Sequence, residues 1–130
     1  MERATSLKVA LTIKQEDYLE SILSVSLEKG YAKAKDVAED LEVSPASASE
    51  MFSILDKKGL IVHRKYEGVT LTMVGKEIAS QVRFRHNVLV KFLKNLGVPD
   101  FEADKDACFM EHELHAVTIQ KIKEFVERRA

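Results

Sequence analysis

The sequence predicts a mainly α-helical chain. Its front is a helix-turn-helix followed by a β-hairpin, and the remainder is helical. Three observations carry this reading. Apolar residues recur at helical spacing over most of the 130 residues. Helix start and stop signals divide the chain at intervals suited to short helices. The stretch from Leu60 to Thr72 instead holds two β-rich runs around a Gly-containing turn. Hydrophobic residues make up 45% and charged residues 32%, with five Gly and two Pro, which describes a folded, helix-leaning chain rather than a disordered one.

Thr12, three residues before Gln15, forms a capping box that opens a first helix. Ile13, Tyr18, Leu19, Ile22, Leu23 and Leu27 mark its apolar face, and Gly30 ends it. A second helix fits Lys33–Leu41, with Val37, Ala38 and Leu41 on one side. Ser44 is a good N-cap and Pro45 suits the first helical position, where its missing N–H would have no helical partner. The third helix therefore runs from Pro45 to Lys58, with Met51, Phe52, Ile54 and Leu55 inside, and stops at Gly59. The hairpin pairs Leu60–Tyr66 with Val69–Thr72 around Glu67-Gly68. Thr72 caps a long helix from Met73 to Leu96, closed by Gly97. Pro99-Asp100 restarts helical structure that continues to Arg129, broken near His115.

No apolar run approaches the roughly 18 residues of a membrane span. The stretch Leu7–Ile13 is interrupted by Lys8 and lacks a small-residue cleavage site. The one cysteine, Cys108, cannot form an internal disulfide. A cytoplasmic protein is the expectation.

Helix, turn, helix with an exposed N-terminus, then hairpin, is the order of a winged helix-turn-helix. The second helix of the pair presents Ser44, Pro45, Ala46, Ser47, Ser49 and Glu50 at its leading end. Small polar groups allow close approach to base edges, and Glu50 can accept from a cytosine amine. Lys33, Lys35, Arg64 and Lys65, with His63 beside them, are candidates for phosphate contacts. Charge argues the other way. The chain carries a net charge of −1, and residues 33–67 hold six Lys/Arg against seven Asp/Glu, so the region is not basic. A divalent cation among nearby carboxylates, and doubling of the surface in a dimer, would each help binding.

Cys108, Glu111 and His112 form C-x-x-E-H, and positions i, i+3 and i+4 share a helix face. Thiolate, carboxylate and imidazole all ligate first-row transition ions. Asp17 and Glu20 are likewise i, i+3 on the first helix, and His86 lies within the long helix. Each also has an ordinary reading: an acidic pair on a solvated face, a core cysteine, a surface histidine. Glu113 and His115 lie near the cluster, yet spacing does not select them. A dimer would need apolar surface, which Phe84, Val88, Leu89, Phe92 and Leu93 offer on the long helix and Phe109, Leu114, Val117 and Ile119 offer beyond it. The same residues also suit an intrachain core.

Asp17-Tyr18-Leu19-Glu20, Gly30-Tyr31-Ala32, Val37-Ala38, Ser44–Glu50, Gly68-Val69-Thr70-Leu71-Thr72, Gly75-Lys76, Arg85-His86 and Cys108-x-x-Glu111-His112 occur in an order and spacing that closely resembles the diphtheria toxin repressor family, with its iron-dependent and manganese-transport branches. The resemblance runs from about Lys14 to near the end of the sequence. It implies a dimeric repressor of metal-uptake genes that a divalent metal activates. Residues 1–72 are expected as the winged helix-turn-helix DNA-binding domain and 73–130 as the helical metal-binding and dimerisation domain, the compact two-domain form. It further implies that Asp17, Glu20, His86, Cys108, Glu111 and His112 are metal ligands. Asp17 and Glu20 match the manganese branch and Cys108 the iron branch, so the ligand set is a hybrid. Val90 stands where the iron branch has a further glutamate, a departure from the iron-type ancillary site.

On this resemblance the metal is expected to join the first helix to the later helices and shift the population toward a DNA-competent homodimer on a double-stranded operator. Carboxylates suit Mn²⁺ and Fe²⁺, while a thiolate pulls toward Fe²⁺, Co²⁺, Ni²⁺ and Zn²⁺. Fe²⁺ is therefore expected first and Mn²⁺ next, with Zn²⁺, Co²⁺ or Ni²⁺ able to bind in vitro. Six candidate ligands can also hold two ions. The histidines must be neutral to coordinate, so activation should weaken as the pH falls toward about 6. Three other readings stay open: a winged-helix regulator that ignores metal and senses oxidant through Cys108, a small metal-dependent hydrolase, and a scaffold that uses the winged helix for protein contacts. No nucleophile motif favours the hydrolase.

Overall fold

The structure, a computed structural model, describes residues 11–129. Expectations that touch residues 1–10 and 130, including most of the Leu7–Ile13 stretch, lie outside the described residues. The elements are α1 (Ile13–Lys29), α2 (Ala34–Leu41), α3 (Pro45–Lys57), β1 (Ile61–Arg64), β2 (Gly68–Leu71), α4 (Met73–Asn95), α5 (Asp100–Met110) and α6 (Ala116–Arg129). The chain divides into two compact units, Met1–Ser80 and Gln81–Ala130. None of its described helices is long and apolar enough to cross a membrane.

The first unit closes around Leu19, Ile22, Val37, Ala48, Phe52, Leu55, Leu60, Ile61 and Val69. Polar ties fix its helices. The Thr12 hydroxyl accepts from the Gln15 N–H at 3.1 Å, and the Gln15 side-chain oxygen Oε1 accepts from the Thr12 N–H at 3.2 Å, completing the expected capping box. The same Gln15 oxygen accepts from Lys58 Nζ at 2.9 Å, linking the start of α1 to the end of α3. Buried Ser21 on α1 donates to Asp40 on α2 at 2.7 Å. The turn between α2 and α3 passes through Glu42, whose φ of 60° is unusual for a residue with a side chain. Its N–H bonds back to Ala38 and Glu39, so the turn is held by the end of α2.

β1 and β2 pair antiparallel, with Ile61 opposite Leu71 and Arg64 opposite Gly68. A bridge the sequence does not announce adds Ala32 to this pair: the N–H of each of Ala32 and Val69 donates to the other's carbonyl, at 2.9 and 2.8 Å. Gly68, at φ 122°, lies so close to the Ala32 carbonyl that a Cβ would collide with it. This bridge sets the hairpin against the α1–α2 connection.

Three apolar expectations change here. Leu27 is 66% exposed and Ile13 47%, so the core face of α1 lies between Tyr18 and Val25. Ile54 is 39% exposed, and Ala48 takes the inner position on α3 instead. The cause is the helical period: Ala48, Phe52 and Leu55 share a stripe, and Ile54 falls beside it.

The second unit packs Val88, Leu89, Ala107 and Ile119, with Leu93, Met110 and Leu114 at its edge. Phe92 and Phe125 meet edge to face at 6.0 Å. Of the residues expected to offer dimer surface, Val88, Leu89 and Ile119 are buried within this unit, while Phe84, Phe109 and Val117 stay exposed.

Thr72 opens α4 as expected: its hydroxyl accepts from the Gly75 N–H at 3.1 Å and donates to the Gly59 carbonyl at 2.8 Å. Gly75 passes so near the Leu60 carbonyl that a Cβ there would collide with backbone. Gly75→Ala tests this contact. Alanine gains roughly 1 kcal/mol of helix propensity, whereas overpacking costs about 1–3 kcal/mol. A net loss, read as a lower urea midpoint, is expected. A raised midpoint would show that the Leu60 backbone can retreat.

Candidate metal centre and nucleic-acid interface

In the second unit, α4 carries His86, α5 carries Asp104 and Cys108, and Glu111 and His112 follow in the turn after Met110. Both ring nitrogens of His86 are engaged. Nδ1 lies 2.7 Å from Glu111 Oε1 and 3.9 Å from Cys108 Sγ. Nε2 lies 2.9 Å from Asp104 Oδ1. The other oxygen of Glu111 lies 3.2 Å from His112 Nε2. Arg85 Nε donates to the Glu111 carbonyl at 2.7 Å and fixes the turn.

The sequence expected Cys108, Glu111 and His112 on one continuous helix face. α5 instead ends at Met110, and Glu111 is its C-cap, still in right-handed helical geometry at φ −62°. That residual helical turn keeps Glu111 beside Cys108, and both meet His86. Asp104 joins the candidate set only through the structure, although Asp104 and Cys108 are i, i+4 on one helix. Asp17 and Glu20 stand one turn apart on α1 in the first unit, both half-buried.

Glu111 is 1% exposed, and a carboxylate so buried needs compensation. Burial alone would raise its pKa, but the hydrogen bonds from His112 and His86 outweigh it and hold the group below the usual carboxylate range. His86 is pushed up to about 11 by the Cys108 sulfur and by Glu111, against the lowering effect of burial, with Asp104 adding to the rise. His86 therefore carries a proton on each nitrogen at neutral pH in the metal-free chain. Imidazole, thiol and two carboxylates around one ring make a donor set that suits a first-row divalent cation. His86, Asp104 and Cys108 each present a ligand atom within 4.8 Å of the others.

In the first unit, Ser44 caps α3, its hydroxyl accepting from the Ser47 N–H at 3.0 Å. Pro45, Ala46, Ser47, Ser49 and Glu50 are exposed at that end, and Ala48 alone of this stretch is buried. A cleft of about 500 Å³ runs between α3 and the hairpin, lined by Lys33, Ser49, Ser53, His63, Arg64 and Tyr66 among others. Lys33 lies 5.8 Å from the Tyr31 ring and Lys65 5.2 Å from the Tyr66 ring. Lys35 is exposed on α2. Arg64 Nε donates to Thr70 Oγ1 at 3.4 Å, which aims the guanidinium from the strand. Ser53 and Tyr66 join the candidate set through this cleft. Ser53 follows Ser49 by one turn, and Tyr66, at φ 69°, forms the hairpin tip.

Residues 10–69 match the iron dependent repressor N-terminal DNA binding domain. Residues 72–130 match the iron dependent repressor metal binding and dimerisation domain. The chain belongs to the iron-dependent repressor family. It is 40% identical over 116 residues to the HTH-type transcriptional regulator MntR of Shouchella clausii, covering 89% of this chain and 81% of that one. Among solved structures it resembles a manganese-dependent transcriptional repressor in complex with manganese, at TM-score 0.75 and 30% identity over 87% of this chain and 52% of the other. It also resembles the T. acidophilum IdeR, at TM-score 0.78 and 27% identity over 88% of this chain and 54% of the other. The chain spans about half the length of these solved structures. As a member of the iron-dependent repressor family it is a metal-dependent DNA-binding transcriptional repressor and not an enzyme. The hydrolase and scaffold readings fall with that assignment, and the metal-independent redox reading gains no support from it.

A metal bound at His86 would be coupled to pH. Its folded pKa is raised, so its network stabilises the metal-free second unit fully below about 6.5, the unperturbed value, and loses that contribution as the pH rises toward about 11. A ligating His86 must lose a proton at neutral pH. Titration calorimetry of the metal into the full chain, in two buffers of different ionisation enthalpy, should show proton release at pH 7 and affinity rising with pH above it. Removal of the His86 contribution by His86→Ala should cut the release. Equal release in the variant would show that the protons come from elsewhere.

Proposed function

We propose that the chain is a repressor activated by Fe²⁺ or Mn²⁺, with His86, Cys108, Glu111 and His112 as ligands in the second unit. Asp17 and Glu20 are proposed as further ligands on the strength of the family resemblance. It acts as a cytoplasmic homodimer on double-stranded operators of metal-homeostasis genes. The observation that carries this reading is the meeting of Glu111 and Cys108 at Nδ1 of His86. A bound divalent cation supplies the positive charge that Glu111 otherwise draws from two imidazoles. The chain's own residues do the rest. Glu111 stays deprotonated, Arg85 holds the turn that presents it, and His86 is fixed from both sides. In the first unit, the exposed end of α3 offers small side chains to a groove. Arg64 and Lys65 offer charge to phosphates, and Lys33 and Lys35 extend that charge along α2.

DNA binding to the chain's own promoter region, across a panel of divalent metals and with a chelator control, tests the proposal. Operator binding is expected with Fe²⁺ or Mn²⁺ and should disappear with chelator. Binding that ignores chelation would end it. Arg64→Ala is expected to weaken binding about equally across sequences and to lower the salt slope by roughly one. A sequence-dependent loss would instead place Arg64 on a base edge.

Cys108→Glu replaces a soft donor by a hard one. Its Mn²⁺ affinity relative to Fe²⁺ should rise, as read by competition with a chelating dye. An unchanged ratio would remove Cys108 from the ligand set.

A further inference from the structure

We infer that Asp104 is a positioning residue for the metal centre: its carboxylate holds Nε2–H of His86 and leaves Nδ1, the nitrogen that faces Glu111 and Cys108, as the ligating atom. The inference rests on the metal-site reading above and specifies how that site uses its histidine.

An imidazole has two nitrogens on opposite sides of the ring, and one ordinary metal bond uses only one of them. On the Nδ1 side stand the two other donors, Glu111 Oε1 at 2.7 Å and Cys108 Sγ at 3.9 Å. On the Nε2 side stands Asp104 Oδ1 at 2.9 Å. A cation that shares Glu111 and Cys108 with His86 must therefore take Nδ1. The Nε2 proton is then retained, and Asp104 accepts it. A carboxylate that accepts the second N–H of a ligating histidine fixes the ring's tautomer and orientation and raises its basicity. Asp104 can do this without joining the buried part of the centre: its side chain is 62% exposed, whereas Glu111 is 1% exposed. α5 supplies the register. Asp104 and Cys108 lie one turn apart on the same face, so a single helix places one residue on each side of the His86 ring.

The test uses the full chain loaded with ¹¹³Cd²⁺, which is diamagnetic and accepts thiolate, imidazole and carboxylate donors. Histidine ¹⁵N spectra report which nitrogen couples to the metal and which keeps its proton. Wild type is expected to show coupling at Nδ1 of His86 and a slowly exchanging Nε2–H. Asp104→Ala should lower Co²⁺ affinity by about 10–100-fold and speed exchange of that proton. The sulfur-to-Co²⁺ charge-transfer band should still be reached at saturation, because Cys108 remains a ligand. Asp104→Glu should recover most of the affinity. Cadmium coupling at Nε2 would overturn the inference. So would an Asp104→Ala affinity equal to wild type, or the loss of one oxygen neighbour from Co²⁺ in its X-ray absorption spectrum, which would make Asp104 a ligand. Because Asp104 is exposed, Asp104→Ala should lower the metal-free unfolding temperature only slightly; a loss large enough to account for the fall in Co²⁺ affinity would overturn the inference. His86→Ala and Cys108→Ala separate the two readings. If both bind Co²⁺ as wild type does, the metal site itself is misplaced and this inference falls with it.

Discussion

A carboxylate that is almost wholly buried is the constraint on which the second unit turns. Glu111 cannot remain charged at 1% exposure without cationic or donor partners on both oxygens. It has them in His86 at 2.7 Å and His112 at 3.2 Å. Those partners determine where α4 and the end of α5 must stand relative to one another. They also suit the cation proposed for this cluster. The site is built around negative charge out of water, and the metal-free chain meets that charge with protons carried on imidazole. Metal binding at the proposed centre would then exchange one kind of positive charge for another.

The first unit meets a different constraint, which is close approach of backbone to backbone. Gly68 under the Ala32 carbonyl and Gly75 under the Leu60 carbonyl leave no room for a side chain. These contacts pin the hairpin to the connection between α1 and α2 and pin the start of α4 behind the hairpin. The cleft between α3 and the hairpin follows from that placement. The cleft also bears on the charge of this region, where acidic residues slightly outnumber basic ones. No acidic residue lies in the first turn of α3. The positive end of that helix dipole is therefore unopposed where a groove would meet it. Lys33 and Arg64 line the same cleft, so the local field matters more than the sum over the sequence.

The helices were largely legible. Thr12, Ser44 and Thr72 each cap the helix they were expected to cap, because a side-chain oxygen two or three residues before an unpaired N–H is a local interaction that needs no tertiary contact. The hairpin was legible from its β-branched runs and its glycine. Burial was less so. Ile54 and Leu27 have core composition but sit off the buried stripe, and composition does not reveal the rotation of a helix. The candidate site divides in the same way. C-x-x-E-H is readable because its spacing is local. Asp104 is not legible, because an aspartate on a helix is ordinary until a histidine from another helix stands beside it.

The order of the elements, their caps and turns, the donor types available for a metal and the family to which they belong all follow from the linear order of residues. These depend on residues a few positions apart, whose interactions are fixed by helical and hairpin geometry. Packing alone makes Ala32 extend the hairpin, buries Glu111 and gives the two nitrogens of the His86 ring different partners. Those facts depend on residues from 18 to 37 positions apart. Such pairs are brought together by packing of α5 against α4 or of the hairpin against α1, and no local spacing in a single sequence encodes that distance.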